Sequence, residues 1–186
     1  DAQVERLRMI NRIPSFYMRR RMATERADLK RFIGRFVGVS PEEFVIARNT
    51  TEALNNIIHG VPLERGDEVL YNTREYPSMQ EALEQRALRY GTVNRVIEIP
   101  WLPSSQEEIV RAYAEALTPK TRYILVSHMI YLTGQILPVR EICDMAHQRG
   151  VEVIVDGAHT LAHLDHTIAD LGCDYYGTSL HKWLGA

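Results

Sequence analysis

From residue 43 onward, short apolar runs alternate with longer amphipathic stretches, and this alternation constrains the fold more than any other feature. The segments "EFVIARN" (43–49), "DEVLYN" (67–72), "NRVIEIP" (94–100), "RYILVSH" (122–128), "VEVIVD" (151–156) and "CDYYGTS" (173–179) read as strands. Helices are predicted between them over 50–61, 77–91, 104–118 and 138–150. Pro77 in a first turn and Gly91 after a last turn punctuate one of these, and Ser104 with Glu107 has capping-box spacing at the start of another. The runs "YILV" and "VIV" are apolar throughout, as in strands buried on both faces. Strands and helices in this order predict an α/β fold: three layers, α/β/α, around a mainly parallel sheet.

The opening is helical in character. Phe16, Met18, Met22, Leu29, Phe32, Ile33 and Phe36 recur among charges from Ser15 to Phe36, and Gly38 ends the pattern. The expected organisation is an N-terminal helical segment over 1–38 and one α/β domain, or most of one, over 39–186. With 186 residues and 45% hydrophobic content, the chain is long enough to bury a core. A net charge of −2 gives no reason to expect nucleic acid or an anionic membrane as a partner. Arg19, Arg20 and Arg21 are soon followed by Glu25 and Asp28, as on a solvated helix face. Cys143 and Cys173 show neither metal-site spacing nor a disulfide framework, so no metal is expected and a reducing cytoplasm is the reading. No apolar run reaches membrane-spanning length, and the first residues do not resemble a signal peptide.

Ligands of open α/β sheets gather at the carboxyl ends of the strands. That rule selects Arg48-Asn49-Thr50-Thr51, Glu75-Tyr76-Pro77, Ser127-His128, Asp156-Gly157-Ala158-His159 and Ser179-Leu180-His181-Lys182. Thr50 and Thr51 open a helix, where free N–H groups and hydroxyls suit a phosphate, although a plain N-cap needs the same residues. Asp156 ends an apolar strand, where a carboxylate needs a cation or strong donors, or serves as a buried hydrogen-bonding group. Tyr76 fits a loop aromatic as well as a stacking face, and His159 fits an ordinary loop. Lys182 is one of only three lysines, with Lys30 and Lys120, and most lysines are simply exposed. As a set, a phosphate cradle, a carboxylate, an aromatic face and a lysine suit pyridoxal 5′-phosphate: lysine forms the Schiff base, and aspartate pairs with the pyridine nitrogen.

Five motifs in order, "RNTTEALN", "REYPSM", "SHMIYLTG", "VIVDGAHT" and "TSLHKWLG", make the chain resemble the aminotransferase class V family of fold-type I pyridoxal-phosphate enzymes. The resemblance spans nearly the whole chain. It implies that Lys182 carries the cofactor, that Asp156 lies under the pyridine nitrogen and that His159 touches the phenolic oxygen. It also implies phosphate contacts from Thr50, Thr51, Ser179 and His181, and stacking by Tyr76. Catalysis would fall to Lys182 and Asp156. Tyr76 replaces the histidine usual in cysteine desulfurases, and Tyr131 replaces a frequent asparagine, which favours the isopenicillin N epimerase-like branch. The resemblance further implies an amino-acid substrate, a homodimer to which the N-terminal helix contributes, and a small C-terminal domain that this chain lacks. Cysteine desulfurase or C–S lyase activity is one alternative; a noncatalytic structural homologue or inactive fragment is another. A nucleotide-binding domain is disfavoured, since neither GxGxxG nor GxxxxGK[ST] occurs.

Overall fold

The computed structural model describes residues 1–185 and divides into two compact units, Asp1–Val45 and a second beginning at Ile46. The first is helical: α1 (Ala2–Arg12), α2 (Pro14–Phe16), a π-helical turn (Tyr17–Arg21) and α3 (Met22–Val37). The Asp1 side chain caps α1 by accepting from Gln3 N–H. Arg19, Arg20 and Arg21 lie in the π-helical turn, and α3 stops at Gly38, whose φ of 76° is a left-handed conformation that glycine adopts without a steric penalty.

The second unit runs α4 (Thr50–Gly60), β1 (Glu68–Asn72), α5 (Pro77–Tyr90), β2 (Val93–Ile97), α6 (Gln106–Ala116), β3 (Thr121–Ser127), α7 (Val139–His147), β4 (Glu152–Asp156), α8 (Ile168–Leu171), β5 (Tyr175–Gly177) and α9 (Leu180–Trp183). The strands form one parallel sheet in the order β2-β1-β3-β4-β5. Alternate side chains divide its core in two. Leu70, Ile124, Val126, Val153 and Val155 pack on Ile109 and Tyr113 of α6 and Ile142 of α7. Val69, Tyr71, Tyr123, Leu125 and Ile154 face Leu54 and Ile58 of α4 and Met79 and Leu83 of α5. Helices therefore cover both faces, giving the expected three layers. Removing one fully buried side chain, as in Leu125→Ala, is expected to cost about 2–5 kcal/mol.

This topology sets where a ligand can enter. From β1 the chain moves outward to β2, then crosses back to β3 on the other side of β1. Connections diverge there, and the carboxyl ends of β1 and β3 border the resulting crevice. The β3–β4 register sets Ser127 beside Asp156, and the β4–β5 register sets Asp156 beside Gly177.

Two local expectations are corrected. Residues 43–49 form no strand: they carry no regular secondary structure, and Val45 is 77% exposed. A strand needs a neighbour for its N–H and C=O groups, and among the described residues none pairs with this segment. At α6, Ser104 bonds Glu108 rather than Glu107: its N–H donates at 2.7 Å and its hydroxyl at 2.8 Å. The helix begins one residue later than that capping box requires, after Ser105.

Candidate active site

The N-terminus of α4 supplies one wall of a cavity at the strand ends. Asn49 caps the helix by accepting from Glu52 N–H at 2.9 Å. Thr50 donates its N–H to Ser179 Oγ at 3.0 Å, and the two hydroxyls lie 2.5 Å apart. This joins the first turn of α4 to the turn that opens α9, across 129 residues of sequence. Thr51, one residue further, is exposed, and its N–H has no intrahelical acceptor.

Opposite stands the carboxyl end of β4. Asp156 is 7% exposed; its Oδ1 accepts Ala158 N–H at 2.9 Å, and no other side chain bonds its carboxylate among the described residues. Burial raises its pKa above the usual aspartate value, while the Ala158 N–H and the positive charge of Lys182 oppose that rise. Two hydrogen bonds tie down the backbone that follows it. Gly157 N–H donates to Gly177 O at 2.8 Å, and Gly157 O accepts from Thr178 Oγ1 at 2.9 Å. A Cβ on Gly157 would lie 1.9 Å from Cζ of Tyr176, so only glycine fits beneath that ring.

Lys182 projects from α9, and its Nζ lies 3.2 Å from His159 Nε2. Burial depresses the His159 pKa, and Lys182 and His163 lower it further, which favours the neutral ring whose Nε2 can accept from Nζ. The next turn repeats the arrangement: Trp183 stacks on His163 with centroids 4.0 Å apart, and His163 Nδ1 is 3.0 Å from His159 O. At the mouth, Tyr76 and Tyr131 meet edge to face with centroids 5.3 Å apart.

Thr50, Thr51, Tyr76, Asp156, His159, Ser179, His181 and Lys182 all line this single cavity of about 250 Å³. The geometry brings together all eight residues that the family resemblance assigns to the site, while Arg48, Glu75 and His128, also selected by the strand-end rule, do not line the cavity. It adds Asn49, Met79, Ser127, Met129, Tyr131 and Ala158 to the lining. The strand-end rule selects Asn49, Ser127 and Ala158 without assigning them a role, whereas nothing in residue type marks Met79, in the first turns of α5.

A parallel sheet between two helical layers, with a lysine, a buried aspartate and a helix N-terminus around one strand-end cavity, matches the fold-type I architecture of the solved structures it superposes on. The sequence comparison assigns the family: the aminotransferase class-V profile matches residues 13–186, and the chain belongs to that family. It is 38% identical over 152 residues to isopenicillin N epimerase of Streptomyces clavuligerus, covering 82% of this chain and 38% of that protein. To a probable cysteine desulfurase of Pseudomonas aeruginosa it is 34% identical, over 78% of this chain and 36% of the relative. The chain thus spans less than half the length of these relatives. Among solved structures, the cystine C–S lyase C-DES with its product cysteine persulfide superposes with a TM-score of 0.81 at 26% identity. That match covers 97% of this chain and 50% of the lyase. A C-DES variant with glycine covalently linked to its PLP cofactor superposes equally well, with a TM-score of 0.81, 25% identity and the same coverage of both chains.

Proposed function

We propose that this chain carries the cofactor half of a pyridoxal 5′-phosphate enzyme that acts on an amino acid, with Lys182 as the Schiff-base lysine. The observation that carries the proposal is the placement of Lys182 and Asp156 on one cavity whose far wall is the start of α4. The residues fit the cofactor. A helix N-terminus with two threonines and Ser179 suits a dianionic phosphate. The unshared side of the Asp156 carboxylate suits a protonated ring nitrogen, whose positive charge would offset the burial that now raises its pKa.

When bound, the cofactor supplies an aldehyde for the lysine and a ring that accepts electrons from the substrate α-carbon. The chain's residues do the rest. Asp156 would keep the ring nitrogen protonated, Tyr76 would pack against the ring, and Thr50, Thr51, Ser179 and His181 would hold the phosphate. Lys182 would take the substrate α-proton, with the His159 ring orienting its nitrogen.

Epimerisation is the outcome we favour. The Tyr76–Tyr131 pair at the mouth supports it, as does 38% identity to two isopenicillin N epimerases. The C-DES superposition favours C–S cleavage as the second reading. Pairing of two copies belongs to the proposal, with exposed Trp101, Leu102, Leu132 and Ile136 offering apolar surface.

The test is an absorbance spectrum of the natural polypeptide containing this sequence, purified with pyridoxal phosphate, beside Lys182→Ala. A borohydride-sensitive visible band, absent in the variant, is expected. A folded protein without that band would leave the noncatalytic reading. Amino-acid screening with chiral and sulfide detection then separates epimerisation from C–S cleavage, and light scattering reads the oligomeric state.

A further inference from the structure

A second carboxyl group lies behind the cavity wall. Glu75, in the turn between β1 and α5, is 1% exposed and, among the described residues, lacks a cationic partner. The guanidinium of neighbouring Arg74 is turned away, donating to Ile99 O at 2.7 Å and Gln135 Oε1 at 3.1 Å and stacking on Trp101 at 4.4 Å. The charged or titratable groups that do face Glu75 are Asp156, across from β4, and Tyr113 of α6, through Asn72.

Its hydrogen bonds specify where a proton can sit. Asn72 Oδ1 accepts Arg74 N–H at 2.9 Å, which fixes the amide so that Nδ2 donates both to Tyr113 Oη, at 2.9 Å, and to Glu75 Oε1. Ser127 N–H donates to the same Oε1 at 3.0 Å. Oε1 therefore meets two donors and can only accept. Oε2 meets a single group, the hydroxyl of Ser127, which can donate or accept. A neutral Glu75 places its proton on Oε2 and gives it to Ser127 Oγ. The serine's own hydrogen is then left for the cavity that Ser127 lines, since its hydroxyl has no other partner among the described residues. An ionised Glu75 reverses this, taking the serine hydrogen and turning the oxygen lone pairs toward the cavity.

We propose that Glu75 is a positioning residue: as the neutral acid it holds the Ser127 hydroxyl as a hydrogen-bond donor to the cofactor bound beside Asp156. This rests on reading the cavity as the pyridoxal-phosphate site. Burial is the main reason Glu75 remains neutral; its pKa is raised to about 8, with the charge of Asp156 adding to the rise. A neutral Glu75 also avoids a second anion next to Asp156, whose charge the ring nitrogen requires.

The natural polypeptide containing this sequence, stripped of cofactor, is titrated with pyridoxal 5′-phosphate at pH 6.5 and pH 9, reading the visible band. Wild type, Glu75→Gln, Ser127→Ala and the double variant are compared. Glutamine reproduces the neutral acid, with an acceptor at Oε1 and a donor at Oε2. Glu75→Gln is expected to match wild type at pH 6.5 and to keep its affinity at pH 9, where wild type weakens about tenfold more than the variant. Ser127→Ala is expected to weaken binding about tenfold at pH 6.5 and to erase the difference that Glu75→Gln makes when Ser127 is present. An infrared difference spectrum of the cofactor-free proteins, wild type minus Glu75→Gln, is expected to show a protonated-carboxyl band at pH 6.5 that is lost at pH 9. The inference is overturned if that band is missing at pH 6.5, if Glu75→Gln keeps the wild-type pH response, or if Ser127→Ala binds like wild type at pH 6.5. A wild type without a Lys182-dependent band overturns the cofactor reading itself, whatever the infrared result.

Discussion

Lys182 Nζ stands 3.2 Å from Nε2 of His159, although 23 residues separate them. The contact pairs an exposed amine with a partly buried ring whose pKa burial and the lysine both depress. Because the lysine side chain is exposed, Lys182→Ala is expected to change stability by less than about 0.5 kcal/mol while abolishing the visible band. Thermal melts alongside spectra check both halves; a large loss of stability would recast Lys182 as structural.

His159→Ala leaves the lysine without its acceptor and should weaken cofactor binding by about tenfold, or about 1.4 kcal/mol. Calorimetric titration with pyridoxal phosphate reads the change. Unaltered affinity would mean that the 3.2 Å contact has no part in holding the site.

Among the described residues, Ser179 is the only one whose side chain bonds both Thr50 N–H and Thr50 Oγ1, and both residues are buried. Ser179→Ala strands a buried donor and is expected to cost about 1–3 kcal/mol in urea melts. In a double-mutant cycle with Thr50→Val, non-additive losses are expected; simple additivity would count against a direct link between α4 and α9.

Gly157→Ala drives a methyl group into the ring of Tyr176, with the new Cβ 1.9 Å from Cζ. The strand end must shift, and a destabilisation of about 1–3 kcal/mol is expected, with displacement of Asp156. Removing the ring, as Tyr176→Ala, should relieve part of the cost in the double variant. A Gly157→Ala protein as stable as wild type would show that β4 yields more easily than this packing implies.

His128 is buried against His166, with ring centroids 4.8 Å apart and no partner for its Nδ1 among the described residues. Burial, helped by His166, lowers its pKa to about 4. The unfolded chain takes up this proton near pH 6.5 and the folded chain only near pH 4, so stability is full above pH 6.5 and falls on acidification between those values. The slope from this one group is about 1.4 kcal/mol per pH unit. His128→Phe should flatten that limb in melts from pH 7 to pH 4; an unchanged acid limb would assign it to other groups.

Glu75 acts with the opposite sign. Its folded pKa of about 8 lies above the ordinary glutamate value of 4.5, so its contribution is full below pH 4.5 and declines as pH rises to about 8. Glu75→Gln should remove this decline and gain stability at neutral pH, seen as a melting curve less sensitive to pH from 5 to 8.

Much of this was written locally. The apolar runs of β3 and β4 read as strands buried on both faces, because Leu125, Val126, Val153 and Val155 leave no polar side for water. Where structure depends on a distant partner, local reading failed. Residues 43–49 have strand composition but no paired neighbour among the described residues, and Ser104 found Glu108 because α6 began one residue late.

The candidate site divides the same way. Order and spacing of motifs already placed threonines, Tyr76, Asp156, His159 and Lys182 at strand ends, since residue type and position in an α/β repeat are properties of the chain alone. What the sequence could not contain is adjacency. Sheet order β2-β1-β3-β4-β5 brings Ser127 level with Asp156, and a turn between β1 and α5 sends Glu75 behind both. Hydrogen bonds and pKa shifts depend on distances of a few ångströms and on exclusion of water, and those exist only once the sheet has closed over its core.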